Sequence, residues 1–320
     1  MKATMICKLQ EVDKIRIQKA DPSCAFAFYD DITQCSKEEI EMTEILFGNI
    51  PTNRIGEFNN LKWYQLASAG YERFDGIPLP PNAILTSMSG AYGIHISEYM
   101  IGSVLSLFQN FHRMRDNQSQ NNWKDEGMAR NIIGSICAVV GTGNIGTEFA
   151  KRLKLLGAAR VVGFRRNISE CPKYFDEVRS LSDLKDFLPE ADIVGTSLPA
   201  SPESTNLFDR ETIACFKKTA VFINVGRGSA VDLDALCDAL DAGNLWGATI
   251  DVTDPEPLPA DHKAWKVQNL VITPHISGGF REPLNPSIEN CISLKNIIDI
   301  FFENLQRYKK GEALRNTIQF

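Results

Sequence analysis

The stretch SICAVVGTGNIGTEFAKRLKLLG, residues 135–157, decides how this chain is read. An apolar run of strand length leads directly into Gly141, Gly143 and Gly146. A helical pattern follows and stops at Gly157, in the place of a C-terminal cap. Three glycines at this spacing, between a strand and a helix, allow a tight turn whose backbone approaches a pyrophosphate while the helix amino terminus faces its charge. The context predicts a dinucleotide site formed by Gly141, Gly143, Asn144, Ile145 and Gly146.

The next apolar run, ARVVGF, ends where an acidic residue would bind the ribose 2′-hydroxyl of NAD. Arg165 and Arg166 stand there instead. A carboxylate would repel a 2′-phosphate, whereas guanidinium forms charge-assisted hydrogen bonds with it and stacks on adenine. NADP(H) is therefore the expected cofactor, with NAD(H) as the weaker alternative.

Further runs follow at ADIVGTSL, AVFINV, GATIDV and LVITPH, so that six segments from residue 135 onward are apolar throughout and not alternating. Such segments suit parallel strands covered by helices on both faces. Upstream, ATMIC, CAFAFYD, EILFGN, KWYQLAS and AILTSMS form a weaker α/β series. Residues 95–123 have helical spacing through Ile96, Tyr99, Met100, Ser103, Leu107 and Met114, and are expected to form a long helix that links domains or packs on a partner subunit. The last helical stretch, PSIENCISLKNIIDIFFENLQRYKKGE, is expected to return to the first domain.

A chain of 320 residues has room for two domains. Its formal charge of −6 disfavours nucleic acid or an anionic membrane as partner. The amino terminus lacks the apolar core of a signal peptide, and a cytoplasmic location is expected. Eight cysteines are scattered without CxxC spacing, which predicts reduced thiols and no metal site.

Three chemically able residues fall at the carboxyl ends of the later strands, where ligands collect in open α/β sheets: Arg227, Glu256 and His275. Together they suit reduction of a 2-oxo acid. Arginine can hold the carboxylate and polarise the carbonyl, protonated histidine can supply the proton that follows hydride, and a carboxylate can orient the ring. Reduction should then fall, and oxidation of the hydroxy acid rise, as pH increases.

The motifs GTGNIG, LPASPESTNLF, INVGRGSAVD, DVTDPEPLP and TPHISGG, in that order, resemble the D-isomer-specific 2-hydroxyacid dehydrogenase family from about Leu61 to the carboxyl end. Upstream of Leu61 only the strand spacing matches. The resemblance implies two doubly wound parallel-sheet domains, with a Rossmann cofactor domain (101–286) inserted into a flavodoxin-like substrate domain (1–100 and 287–320). It assigns catalysis to Arg227, Glu256 and His275, and places Asp251 against the nicotinamide carboxamide. Arg227 and the backbone amides of Ser68, Ala69 and Gly70 are given to the substrate carboxylate. The arginine pair and HISGG lean toward the glyoxylate and hydroxypyruvate reductase branch, which yields a D-2-hydroxy acid. Formate oxidation is disfavoured, because that branch pairs its histidine with glutamine. A homodimer built on the 95–123 helix is implied. The competing reading is an NAD(P)-sensing, corepressor-like binding protein on the same fold.

Overall fold

The five apolar runs of the first hundred residues form parallel strands in this computed structural model, which describes residues 1–168, 171–279 and 287–319. They are β1 (Lys2–Ile6), β2 (Ala25–Tyr29), β3 (Ile45–Gly48), β4 (Trp63–Gln65) and β5 (Ile84–Thr86), with α1 (Glu11–Ala20) and α2 (Lys37–Met42) as crossovers. The strand order is β2-β1-β3-β4-β5, the flavodoxin arrangement. Successive side chains enter opposite faces, so one core holds Met5, Phe47 and Trp63 and the other Leu46, Tyr64 and Leu85. The first core is closed by the C-terminal helix Ile292–Lys310, whose Phe301 stacks on Trp63 at a centroid distance of 5.3 Å.

The second unit begins with α3 (Gly93–Phe108) and α4 (Phe111–Ser119) and continues as β6 (Ile136–Val140), α5 (Asn144–Leu155), β7 (Arg160–Arg165) and β8 (Glu177–Ser180). Then come α6 (Leu184–Phe187), β9 (Ile193–Thr196), α7 (Arg210–Ala214), β10 (Val221–Asn224), α8 (Leu233–Asp241), β11 (Gly247–Ile250) and β12 (Leu270–Ile272). All pairings are parallel, in the order β12-β11-β10-β9-β6-β7-β8. This is a doubly wound sheet whose order reverses between β6 and β9.

Three expectations need correction. The strand β8 has no apolar run to announce it: Glu177, Val178, Arg179 and Ser180 lie at the sheet edge, all half-buried and paired with β7 alone. The expected helix over 95–123 is two helices, broken where Asn110 adopts φ 58°, a left-handed conformation that asparagine tolerates. No α4 residue is buried, and Trp123 lies beyond the helix, wholly exposed. The chain divides into Met1–Tyr92 with Phe280–Phe320, and Gly93–Gly279. The first division therefore precedes the helix rather than cutting it at 100/101, since all of α3 belongs with α5, against which it packs. The second expected boundary, 286/287, abuts residues outside those described. Among the described residues, no helix is long and apolar enough to cross a membrane.

Candidate active site

The glycine-rich turn joins β6 to α5. A Cβ on Gly146 would stand 1.8 Å from the carbonyl oxygen of Gly141, so only glycine permits this approach of helix to turn. Gly143 caps α5 without a side-chain hydrogen bond, and Gly143 and Asn144 are exposed. The first turn of α5 thus lacks a capping side chain and begins at exposed residues, the arrangement a helix terminus needs to accept an anion. A dinucleotide pyrophosphate fits this donor set.

Arg165 closes β7 and Arg166 follows it. Among the described residues Arg165 makes no ion pair. The Arg166 Nη1 lies 3.2 Å from Glu203 Oε1, with both side chains exposed. Glu203 belongs to the segment after β9, on the same carboxyl edge of the sheet as the glycine turn.

At the other side of this edge, β11 delivers Asp251 and β12 delivers Thr273 and His275. His275 Nδ1 and Glu256 Oε1 are 2.7 Å apart. The ring's Nδ1–H thereby donates to the carboxylate, leaving Nε2 as the nitrogen for proton exchange. His275 has φ 52°, a left-handed conformation worth about 1 kcal/mol or more of strain in a side chain of this size. Asp251 offsets that strain. Its carbonyl accepts from the His275 amide at 2.8 Å. Its carboxylate, only 1% exposed, accepts from the Thr273 hydroxyl (2.6 Å) and from the amides of Ile276 (2.8 Å) and Ser277 (2.9 Å). The Tyr99 hydroxyl lies 2.6 Å from Thr273 Oγ1, and burial pushes its ionisation up, so it stays protonated in this chain of contacts.

Arg227 follows the neighbouring strand β10. Buried Asn224 shapes its loop, accepting from the Gly226 amide and donating to the Arg227 carbonyl, both at 3.0 Å. Its Nη1 donates to the Gly226 carbonyl at 2.7 Å. A Cβ on Gly228 would lie 2.0 Å from the carbonyl carbon of Thr253, so glycine lets the Arg227 loop rest on the backbone that leads to Glu256.

In the first unit, Ser68, Ala69 and Gly70 follow β4. Asn49 Oδ1 accepts from the Ala67 amide at 3.2 Å, and Ser68 Oγ donates to the Gly70 carbonyl at 2.7 Å. Among the described residues, no protein acceptor meets the amides of Ser68, Ala69 or Gly70. Such a row of unpaired amides suits an anion.

Several contributors escaped the sequence reading. Thr273 sits inside TPHISGG but has no charge to mark it, and Tyr99 has the spacing of a core residue. Glu203 had a signal, an acid on the loop after a strand at the point where the sheet order reverses. Among the described residues, no group of three or more His, Cys, Asp or Glu side chains could hold a metal. An open groove of about 530 Å³ lies elsewhere, lined by residues that include Ser106, Phe111, His112, Arg115 and Trp265, and none of Arg227, Glu256 or His275 borders it.

The family model described as "D-isomer specific 2-hydroxyacid dehydrogenase, NAD binding domain" matches residues 101–277. A crystal structure of a D-isomer specific 2-hydroxyacid dehydrogenase family protein from Aeromonas salmonicida superposes with a TM-score of 0.85 at 29% identity, covering 99% of this chain and 98% of that one. Glyoxylate/hydroxypyruvate reductase B of Erwinia tasmaniensis is 27% identical over 78% of this chain and 80% of its own length. The chloroplastic/mitochondrial formate dehydrogenase of Arabidopsis thaliana is 26% identical over 82% of this chain and 67% of its own.

Proposed function

Because this chain belongs to the D-isomer specific 2-hydroxyacid dehydrogenase family, we propose that it reduces a small 2-oxo acid of the glyoxylate or hydroxypyruvate type to the D-2-hydroxy acid, preferring NADPH. The observation that carries the reading is the 2.7 Å hydrogen bond between His275 Nδ1 and Glu256, on a sheet edge shared with Arg227.

Gly141, Gly143, Asn144, Ile145 and Gly146 would hold the cofactor's pyrophosphate, and Arg165 and Arg166 its 2′-phosphate. When bound, the nicotinamide supplies the hydride. Glu256 fixes the ring of His275 through Nδ1, and His275 delivers a proton from Nε2 to the nascent alkoxide. Arg227 holds the substrate carboxylate and draws electron density from the ketone, and the amides of Ser68, Ala69 and Gly70 are an anion-binding row in the first unit. Asp251 positions the loop that carries His275, and its assignment to the nicotinamide carboxamide stands beside that role.

Steady-state kinetics on glyoxylate, hydroxypyruvate, pyruvate and bulkier 2-oxo acids, with NADPH and with NADH, test this reading. Small 2-oxo acids should turn over fastest, and NADPH should have the lower KM. Arg166→Ala should raise the KM for NADPH by roughly 10-fold or more and that for NADH far less, in line with loss of a charge-assisted hydrogen bond. No turnover across the panel, or a preference for NADH, would overturn it. Oxidation of formate with NAD or NADP, absent under the proposal, distinguishes the formate dehydrogenase relatives.

The proposal extends to a homodimer built on α3 and α4. Leu105, Phe111, Met114 and Trp265 leave apolar surface exposed near the groove, the kind of surface an isologous interface covers. Light scattering should give the mass of two chains, and the mass of one would refute it. The proposed site of action is the cytoplasm.

A further inference from the structure

We propose that Glu203 is a counter-charge that sets cofactor discrimination by competing with the 2′-phosphate for Arg166. The inference rests on the assignment of Arg166 to that phosphate.

The two side chains form an ion pair at 3.2 Å. The guanidinium is the one proposed to meet a dianionic phosphate, so the pair must be broken or shared when NADPH binds. Glu203 is not a wandering surface acid. Its turn is closed by paired serines: the Ser201 amide donates to Ser204 Oγ at 2.9 Å, the Ser204 amide donates to Ser201 Oγ at 3.2 Å, and Ser204 Oγ donates to the Pro199 carbonyl at 2.7 Å. Ser204 is buried. Beyond the turn, the amides of Asn206 and Phe208 donate to the carbonyls of Ser229 and Ala230 at 2.8 and 2.9 Å, which ties the segment to the loop that follows Arg227. The backbone on both sides of Glu203 is thus anchored. Its own backbone amide, the Ser201 hydroxyl and Arg166 hold its carboxyl below the usual range, so the negative charge is present throughout the neutral region.

The consequence follows from charge. The neutral 2′-hydroxyl of NADH does not compete for Arg166 and is not repelled by a carboxylate, whereas a 2′-phosphate suffers both effects. Glu203 therefore holds the NADPH preference below what two adjacent arginines would otherwise give, by weakening NADPH and leaving NADH unaffected. Because both side chains are exposed and screened by solvent, the effect is modest, about 3- to 10-fold.

The test is the KM for each cofactor at low and high ionic strength, for the unchanged protein, Glu203→Gln, Arg166→Ala and the double variant. Glu203→Gln should raise the ratio of KM(NADH) to KM(NADPH) about 3- to 10-fold at low salt, less at high salt, and much less in the Arg166→Ala background, where only direct repulsion of the phosphate remains. A ratio unchanged by Glu203→Gln, while Arg166→Ala still weakens NADPH selectively, overturns the counter-charge and leaves the cofactor assignment standing. If Arg166→Ala also leaves the ratio unchanged, the assignment itself fails. A ratio that shifts equally with and without Arg166 overturns the competition, since Glu203 would then act on the cofactor directly.

Discussion

Replacing His275 with alanine should lower kcat for reduction of the preferred 2-oxo acid by about 10²- to 10⁴-fold, the range a positioned general acid contributes. The KM for the cofactor should change little, because the glycine turn and the arginines that would bind it lie at other strands of the sheet. Stopped-flow reduction and cofactor titration by fluorescence separate the two quantities. The pH dependence gives a second check. Reduction consumes a proton held by His275, so the rate should decline as pH rises, and oxidation of the hydroxy acid should increase. In His275→Ala both slopes should vanish. Glu256→Gln keeps an acceptor for the 2.7 Å bond but makes it a neutral one, so kcat for reduction should fall while the KM for the cofactor changes little. A His275→Ala variant within a few-fold of normal kcat would refute the proton-donor assignment.

Asp251→Ala should destabilise the protein by about 2–5 kcal/mol and cost activity nearly as much as loss of His275. The buried carboxylate accepts three hydrogen bonds, and its removal leaves the amides of Ile276 and Ser277 and the Thr273 hydroxyl without their acceptor. Buried donors left in this state cost about 1–3 kcal/mol each, reduced where water enters the space. The loop then has less to hold His275 at φ 52°, and the ring loses its fixed relation to Glu256. Urea denaturation of the cofactor-free protein measures the stability, and kcat measures the loop. Thr273→Val removes one of the three bonds and should cost about 1 kcal/mol. A role confined to the nicotinamide would instead raise the KM for the cofactor and leave cofactor-free stability unchanged, which would overturn the positioning role.

Of the twelve strands among the described residues, eleven were readable as apolar runs, because a strand buried on both faces needs continuous hydrophobic side chains and turn residues at its ends. The twelfth, β8, was not, since an edge strand satisfies its backbone with one neighbour and can carry Glu177 and Arg179. Helical periodicity found α3 but ran past Asn110, for the pattern of apolar residues continues across a break that only the backbone angle reveals. The glycine turn was legible for a related reason: backbone approach and strand–turn–helix order are local matters, written in adjacent residues.

The residues of the chemical site belong to a different range of the chain. Arg227, Glu256 and His275 were singled out by their places after strands, and the pairing of acid with ring was expected from the chemistry the three suit together and from family resemblance, not from spacing. Parallel pairing is what makes the geometry: β10, β11 and β12 lie side by side in one direction, so residues that follow each strand must emerge on one edge. Apolar periodicity and glycine spacing were enough to establish two α/β sheets and a phosphate-binding turn. Which side chains meet was decided in three dimensions, in Asp251 with the His275 loop and in Arg166 with Glu203, because a hydrogen bond or ion pair depends on loop paths and side-chain directions that no local pattern encodes.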